Sequence, residues 1–464
     1  MADEQHIEER LFEMHDGKSD KFWIIELSGT SHAVRYGRVG TDGQTKTKDF
    51  ADEAKASYDK LVDQKVKKGY SEVTSQGESR NEQVKAAREE LKLQEPFLKE
   101  IQANPDDPTA YGVFADWLVE NGNPLGEFIQ VQMQLEDESL TANERSKLKK
   151  TEKALLKTHE REWMGDLAPQ LIDKEPDSDG DSVDYTYSFE RGFLASIEVP
   201  TLTENFGRNL AKSSACSMLS RLTIDYIDWE FAEEGGLELL AKCRFDNLRT
   251  FEVANGGESV FAEGLESVVK KMPNLQVLGA GVHSIDLDKL FALKLPRLRS
   301  LEIDHQSDEY PLKAIAKNKS FENLESISFL PHALEPGDSG AYISREGFID
   351  LCKSKNLKKL THLRLQCSDI GNDGLKELVK SPLLGQLKVL DLTYGCVTDE
   401  GADVLAGADL SNLNTLSLEG NYISKEAIAR LRKSAPSMTF VGEGGQYNPS
   451  NMDEREDLYN GDWE

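Results

Sequence analysis

Three short segments of this chain carry side chains of the kind that do chemistry. Gly337-Asp338-Ser339-Gly340 has the form of a serine-nucleophile turn, Asp177, Asp179 and Asp181 alternate like the first three ligands of a calcium loop, and Asp116 with Glu127 offers an acid pair. A serine nucleophile needs a histidine base, and no suitable histidine segment precedes Ser339. The calcium loop needs Gly at its sixth position and Glu at its twelfth, where this chain has Ser182 and Ser188. Acid–base work by Asp116 and Glu127 needs a shared pocket, so a helix cap or a partner for an indole N–H is the expectation for them. Cys216, Cys243, Cys352, Cys367 and Cys396 form an odd set with no C-x-x-C pair, which predicts buried, reduced thiols rather than zinc or disulfides. There is no phosphate-binding loop, dinucleotide fingerprint or H-E-x-x-H segment. The expectation is a non-catalytic chain with no cofactor and no metal.

What remains is binding, and charge limits its kind. The 464 residues carry a formal net charge of -28, with 38% hydrophobic and 30% charged residues; that balance suits an elongated molecule with much surface. An acidic surface repels nucleic acid and anionic lipid. MADEQHIEER has no basic or apolar export signal, and no stretch approaches eighteen apolar residues, so a cytoplasmic protein with no membrane contact is expected. Between Lys18 and Lys68, however, 11 Lys and Arg stand against 8 Asp and Glu. A weakly basic head precedes an acidic body.

The elements of the head, residues 1–75, follow from local pattern. RLFEM and FWIIEL flank the turn HDGKSDK and predict a hairpin. SHAVRYGRVG follows as a strand, Asp42-Gly43 marks a turn because glycine tolerates positive φ, and KTKDF returns. Ala54, Tyr58, Leu61 and Val66 share one face of a helix predicted over residues 51–67. The run VRYGRVGTDGQTKTKDF, with the helix and KKGY after it, resembles the WGR domain, known as a DNA-end-sensing part of poly(ADP-ribose) polymerases and found also in bacterial proteins. The tryptophan that names the domain is Tyr36 here, followed by Gly37 and Arg38. The resemblance implies that Tyr36 packs on a sugar at a strand end and that Arg38 engages nearby backbone. Read without it, Tyr36 is a strand aromatic and Arg38 a solvated edge residue. So small a positive excess neutralises few phosphates, and nucleic-acid binding is expected to be weak.

A polar stretch and linker helix over residues 76–94 lead to a helical module, 95–175, with a core around Trp117 and Phe128. The string from Phe97 through NPDD to ADWLVENGNPLGEFIQVQ resembles a small module that accompanies repeat domains in uncharacterised bacterial proteins, and implies architecture without chemistry. Residues 141–163 predict a charged amphipathic helix.

Internal repetition dominates residues 185–445. Leucine-led segments start at Leu219, Leu248, Leu275, Leu298, Leu324, Leu360, Leu387 and Leu413, at intervals mostly of 23 to 29 residues. Positions one, four and six of each segment point inward from a short parallel strand, and a helix follows. Endings such as IGNDGLKEL and VTDEGADVL resemble ribonuclease-inhibitor-type leucine-rich repeats, which implies a curved α/β horseshoe. Residues 185–199 alternate like a capping hairpin, and Ala280 in the third repeat predicts a looser or shorter turn. An acidic tail, 446–464, closes the chain. The fold class expected is multidomain α/β: an antiparallel sheet with a helix, a helical module and an α/β solenoid.

Strand residues between the buried leucines face the concave surface. They read Asp225, Tyr226, Glu252, Glu302, Asp304, His305, Arg364, Asp391, Tyr394 and Glu419, an acidic strip with aromatic residues and one Arg. Such a strip suits a basic or amphipathic protein partner. The expected function is that of an intracellular scaffold binding a protein through this face, with DNA contact by the head as the alternative.

Overall fold

The computed structural model describes residues 8–15, 20–28, 30–50, 54–73, 80–173, 184–228, 231, 236–253, 260–261, 263–283, 285–304, 308–331, 342–442 and 446. His305, the Asp177–Asp181 run, the Gly337–Gly340 turn and the tail after Gln446 lie outside them. The chain divides into two compact units, residues 1–110 and 111–464.

In the first unit, strands β1 (Glu8–His15), β2 (Asp20–Ser28), β3 (Ser31–Arg38), β4 (Gln44–Asp49) and β5 (Ser71–Val73) form one sheet in the order β4-β3-β2-β1-β5. All four pairings are antiparallel. Period-two alternation puts Trp23, Ile25 and Leu27 on one face. Helix α1 (Ala54–Val66) presents Tyr58 and Val62, four residues apart and so on one side, and these close over Phe12, Trp23 and Ile25 as a small core. Helix α2 (Arg80–Ala103) then runs unbroken through Pro96. The break expected at Glu95 is therefore absent; the proline removes one backbone donor without ending the helix.

Helix α3 (Pro108–Glu120) carries the division between the units. In the second unit α4 (Pro124–Leu135) starts at an Asn123 cap, and α5 (Ala142–Met164) starts at a capping box of Thr141 and Glu144. They pack on the hairpin of β6 (Thr186–Glu190) and β7 (Phe193–Leu202). Its turn, Arg191-Gly192, has φ of 47° and 84°, the paired positive values of a tight hairpin turn. The Gly192 N–H donates to Gln132 Oε1 at 2.7 Å, and Gln132 Nε2 donates to the Phe189 carbonyl at 3.1 Å. A Cβ on Gly192 would lie 2.2 Å from Ile129. Arg191 pairs with Glu136 at 2.6 Å, while the Phe128 ring stacks on Trp163 and meets Phe189 edge-on. The helices thus cover the open end of the repeat stack, and do not stand as a free module.

From β7 the sheet becomes a parallel ladder: β8 (Arg221–Ile227), β9 (Thr250–Val253), β11 (Val277–His283), β12 (Ser300–Asp304), β13 (Ser326–Leu330), β14 (His362–Leu365), β15 (Val389–Asp391), β16 (Thr415–Ser417) and β17 (Thr439–Val441), with the short β10 (Val260–Phe261) on β11. Register aligns Leu222, Phe251, Leu278, Leu301, Ile327, Leu363, Leu390, Leu416 and Phe440 in one inward row. All eight leucines that begin the repeats are buried, and the row joins helix residues such as Leu375 and Leu405 in one continuous core. The third repeat differs from expectation. Its strand β11 is seven residues long and pairs over five residues with β12, because the small Ala280 side chain still fills an inward position, buried at 3% exposure.

Replacing Leu390, fully buried in this row, with Ala is expected to cost about 2 to 5 kcal/mol through lost burial and a residual cavity. Urea unfolding of the two proteins measures it; an unchanged midpoint would place Leu390 outside the core.

Candidate binding face

The inward row fixes the outward one. Residues offset by one from each buried leucine register as Thr223, Glu252, Gly279, Glu302, Ser328, Arg364, Asp391 and Ser417, side by side across the sheet. The structure therefore brings Glu252, Glu302, Arg364 and Asp391 together, with Asp304 two residues beyond Glu302 on the same face. Asp225 is exposed on β8.

The aromatic members of the expected strip fall elsewhere. Tyr226 is partly buried and packs against the core. Tyr394 lies beyond β15 in a left-handed turn with φ of 57° and packs on Cys396 and Tyr422. The same turn position is Cys367 (φ 48°) one repeat earlier and Gly420 (φ 63°) one repeat later, so the turn forces a conformation that non-glycine residues adopt at a cost. Glu419 is exposed past the end of β16, and its carbonyl accepts from the Tyr394 N–H and from Asn421 Nδ2. Tyr226 shares the parity of Leu222 and Ile224 on β8 and so turns inward, whereas Tyr394 and Glu419 lie past the three-residue strands of the last repeats.

The polar chemistry of the face is unevenly satisfied. Asp391 accepts at Oδ1 from Thr393 N–H (3.0 Å) and Thr393 Oγ1 (2.7 Å), and at Oδ2 from Gln366 Nε2 (2.8 Å). Asn421, fully buried, accepts from Gly395 and Val397 N–H and donates to the Leu392 carbonyl. Sequence reasoning missed this network, although the L-x-x-L-x-L-x-x-N spacing of Leu413 to Asn421 marks it. Toward β9 and β12 the carboxylates are less engaged. Glu252 accepts from Thr223 at 3.3 Å and sees Arg221 at 3.8 Å. Burial and the neighbouring Glu302 push Asp304 up to about 7, against a backbone N–H of Leu330 that favours its charged form.

In the first unit Tyr36 sits opposite Trp23 in the β2–β3 register and is partly buried against the core. Lys46 Nζ lies 5.7 Å from the Tyr36 ring centre, and Lys65 Nζ lies 5.3 Å from that of Trp23 and 4.6 Å from that of Tyr70. Arg38 is exposed at the end of β3.

Other chemistry is thin. The five cysteines are free and buried, and burial pushes the Cys216, Cys352 and Cys367 thiols up to about 12. Asp116 Oδ1 accepts from Gln130 Nε2 at 2.9 Å, and Glu127 lies in the first turn of α4. No group of three His, Cys, Asp or Glu side chains arranged to hold a metal, and no helix long and apolar enough to cross a membrane, occurs among the described residues.

Family models find a WGR domain at the N-terminus and leucine-rich repeats toward the C-terminus of this chain. Residues 8–77 match the WGR domain family, and residues 356–379 and 387–406 match the Leucine Rich repeat family. Over 65 residues the chain is 46% identical to Uncharacterized protein YfeS and 45% identical to Protein YehF, both of Escherichia coli (strain K12). Each match covers 14% of this chain, which spans 27% and 24% of those relatives. Among solved structures, a Bacteroides fragilis protein aligns over 96% of this chain and 98% of its own at 18% identity and a TM-score of 0.41. A Leptospira interrogans leucine-rich-repeat protein aligns over 52% of this chain and 81% of its own, at 14% identity and a TM-score of 0.21.

The sign of the Asp304 shift gives a test. A carboxyl raised from 3.8 to about 7 binds more protons folded than unfolded between those values, so its contribution to stability falls as pH rises through that window. Asp304→Asn should raise the melting temperature more at pH 8 than at pH 5. An equal change at both would mean that Asp304 titrates normally.

Proposed function

We infer from the WGR and leucine-rich-repeat matches a protein-interaction or nucleic-acid-binding role. We propose that this chain is a non-catalytic interaction protein that holds a protein partner on the outward face of its solenoid sheet. The observation that carries the reading is the outward register row, in which Glu252, Glu302, Arg364 and Asp391 stand in one line, with Gly279 between the first two and Ser328 between Glu302 and Arg364. An array of charges held in line by the register of the ladder selects a complementary surface, and the mixture of acids with one arginine favours a basic or amphipathic protein.

The nucleic-acid reading has its own observation. The Tyr36 ring, with Lys46 Nζ 5.7 Å from its centre, lies two residues along β3 from the exposed Arg38, and a ring beside cations suits single-stranded or end-exposed bases. Tyr36 is part of the domain core, however, which limits the face it can offer.

Photo-reactive side chains placed at Ser328 or Arg364 should cross-link a partner protein in the native host, whereas one on exposed Glu346, on the helix Arg345–Cys352, should not. Adducts from Glu346 alone would put the interface on the helical side. For the head, fluorescence anisotropy with nicked and blunt DNA should show weak, salt-sensitive binding that Arg38→Ala reduces severalfold. Strong binding that Arg38→Ala leaves unchanged would remove that arginine from the contact.

A further inference from the structure

Where β13 meets β14 the outward face changes from acids to donors. Register pairs Ser326 with His362 and Ser328 with Arg364 on these neighbouring strands. The four side chains therefore form a two-by-two array on the outward side, about 4.8 Å apart across the strands and about 6.7 Å apart along them. All four are partly exposed. Leu330 on β13 and Val389 on β15, also partly exposed and of the same parity, border the array.

The donors of the array are uncommitted. Among the described residues the Arg364 guanidinium makes neither a hydrogen bond nor an ion pair, and the Ser326 and Ser328 hydroxyls make no hydrogen bond. The carboxylate beside Arg364 in register is Asp391, and it is taken: Thr393 N–H and Oγ1 hold its Oδ1, while Gln366 Nε2 holds its Oδ2. His362 Nδ1 lies 2.9 Å from Thr361 Oγ1, which leaves Nε2 without a partner among the described residues. Burial, then the positive charges of Arg364 and Lys388, outweigh Glu325 and hold the His362 imidazole below its ordinary range. The patch is thus locally positive in a chain of net charge -28. A guanidinium is always charged, and one partly covered by its neighbours gives up hydration that no group of this chain replaces.

We propose that this array is an oxyanion subsite of the face, and that the partner protein fills it with a carboxylate or a phosphate ester. The inference rests on the reading of the sheet face as the interface and names one group that the face grips; it makes the partner segment amphipathic with an anion at a fixed place, not uniformly basic. The planar fork of Arg364 can donate two parallel bonds to either oxyanion, and the serine hydroxyls one strand away can donate to the same group. Distance limits repulsion by the acids of the face. Glu302 stands two strands off, about 9.6 Å between backbones, beyond a screening length of about 8 Å at physiological salt, and Glu252 is farther still. Leu330 and Val389 at the border suit apolar residues flanking the anion.

The test uses the full chain and a displayed library of nine-residue peptides. Selected binders should carry Asp or Glu at one fixed position. A synthetic binder should bind at least tenfold more weakly to Arg364→Gln and severalfold more weakly to Ser328→Ala, whereas Lys388→Gln, an equal charge change on an exposed neighbour, should leave binding within twofold. Changing the peptide's acid to its amide should cost the same tenfold against the unaltered chain and nothing further against Arg364→Gln, since both changes delete one contact. Phosphoserine in place of that acid separates the two sources: tighter binding assigns the subsite to a phosphate ester, weaker binding to a carboxylate. If Arg364→Gln fails to fold, Arg364→Lys, which keeps the charge and loses the fork, takes its place with a severalfold loss. Binders without a fixed acid, no binders at all, or losses that add in full when the two changes are combined would overturn the proposal. Loss with Ser326→Trp or Glu302→Lys but not with Arg364→Gln would retain the face and reject the subsite. Indifference to all of these variants would reject both.

Discussion

A single leucine-rich segment cannot bury its own apolar side, so each strand depends on the next for its burial. That constraint fixes the register of the ladder, since a slip of one residue would turn every buried leucine outward. Leu222 through Phe440 form one row because no other alignment keeps them all out of water. The outward residues inherit their positions from this requirement. The charges on the face are held in line by the hydrophobic effect acting on the opposite side of the same strands, and need no interactions of their own to hold them there.

The ends of such a stack would expose apolar surface, and here the first end is closed by an antiparallel hairpin and the helices α4 and α5. The contact is specific rather than merely greasy. Gln132 meets both sides of the Arg191-Gly192 turn, and Arg191 is fastened to Glu136. Buried polar groups that must be paired fix one orientation of the helices. This couples the helical segment to the solenoid, and a change in either should be felt by the other.

Much of the fold was legible in the sequence because it is periodic. The leucine spacing located all eight strands from β8 to β16 apart from the two-residue β10, and Asp42-Gly43 with the aromatic runs located the head. The site was less legible. Glu252, Glu302, Arg364 and Asp391 came from the parity argument and stand in one row; Tyr226 shares the parity of the buried Leu222 and Ile224 on β8 and so faces inward, and Tyr394 lies where the strand, and the parity with it, has ended. Tyr394 lies three residues beyond Asp391, where the chain has entered a left-handed turn. The glycines of β11 were read past: Ala280 drew attention as a weak core residue, while its neighbours Gly279 and Gly281 shape the outward face. An absent side chain leaves no signal in a search for reactive groups. The Asn421 network was missed for a related reason, since its partners are backbone groups that the sequence does not name.

The central claim, that the outward sheet face is the interface, can be read directly by carboxyl-group footprinting of the chain alone and bound to its cross-linked partner. The account predicts that Glu252 and Glu302 lose labelling in the complex while the helix-borne carboxylates Glu266 and Glu377 keep theirs. Protection of Glu266 and Glu377 with Glu252 and Glu302 still labelled would contradict it.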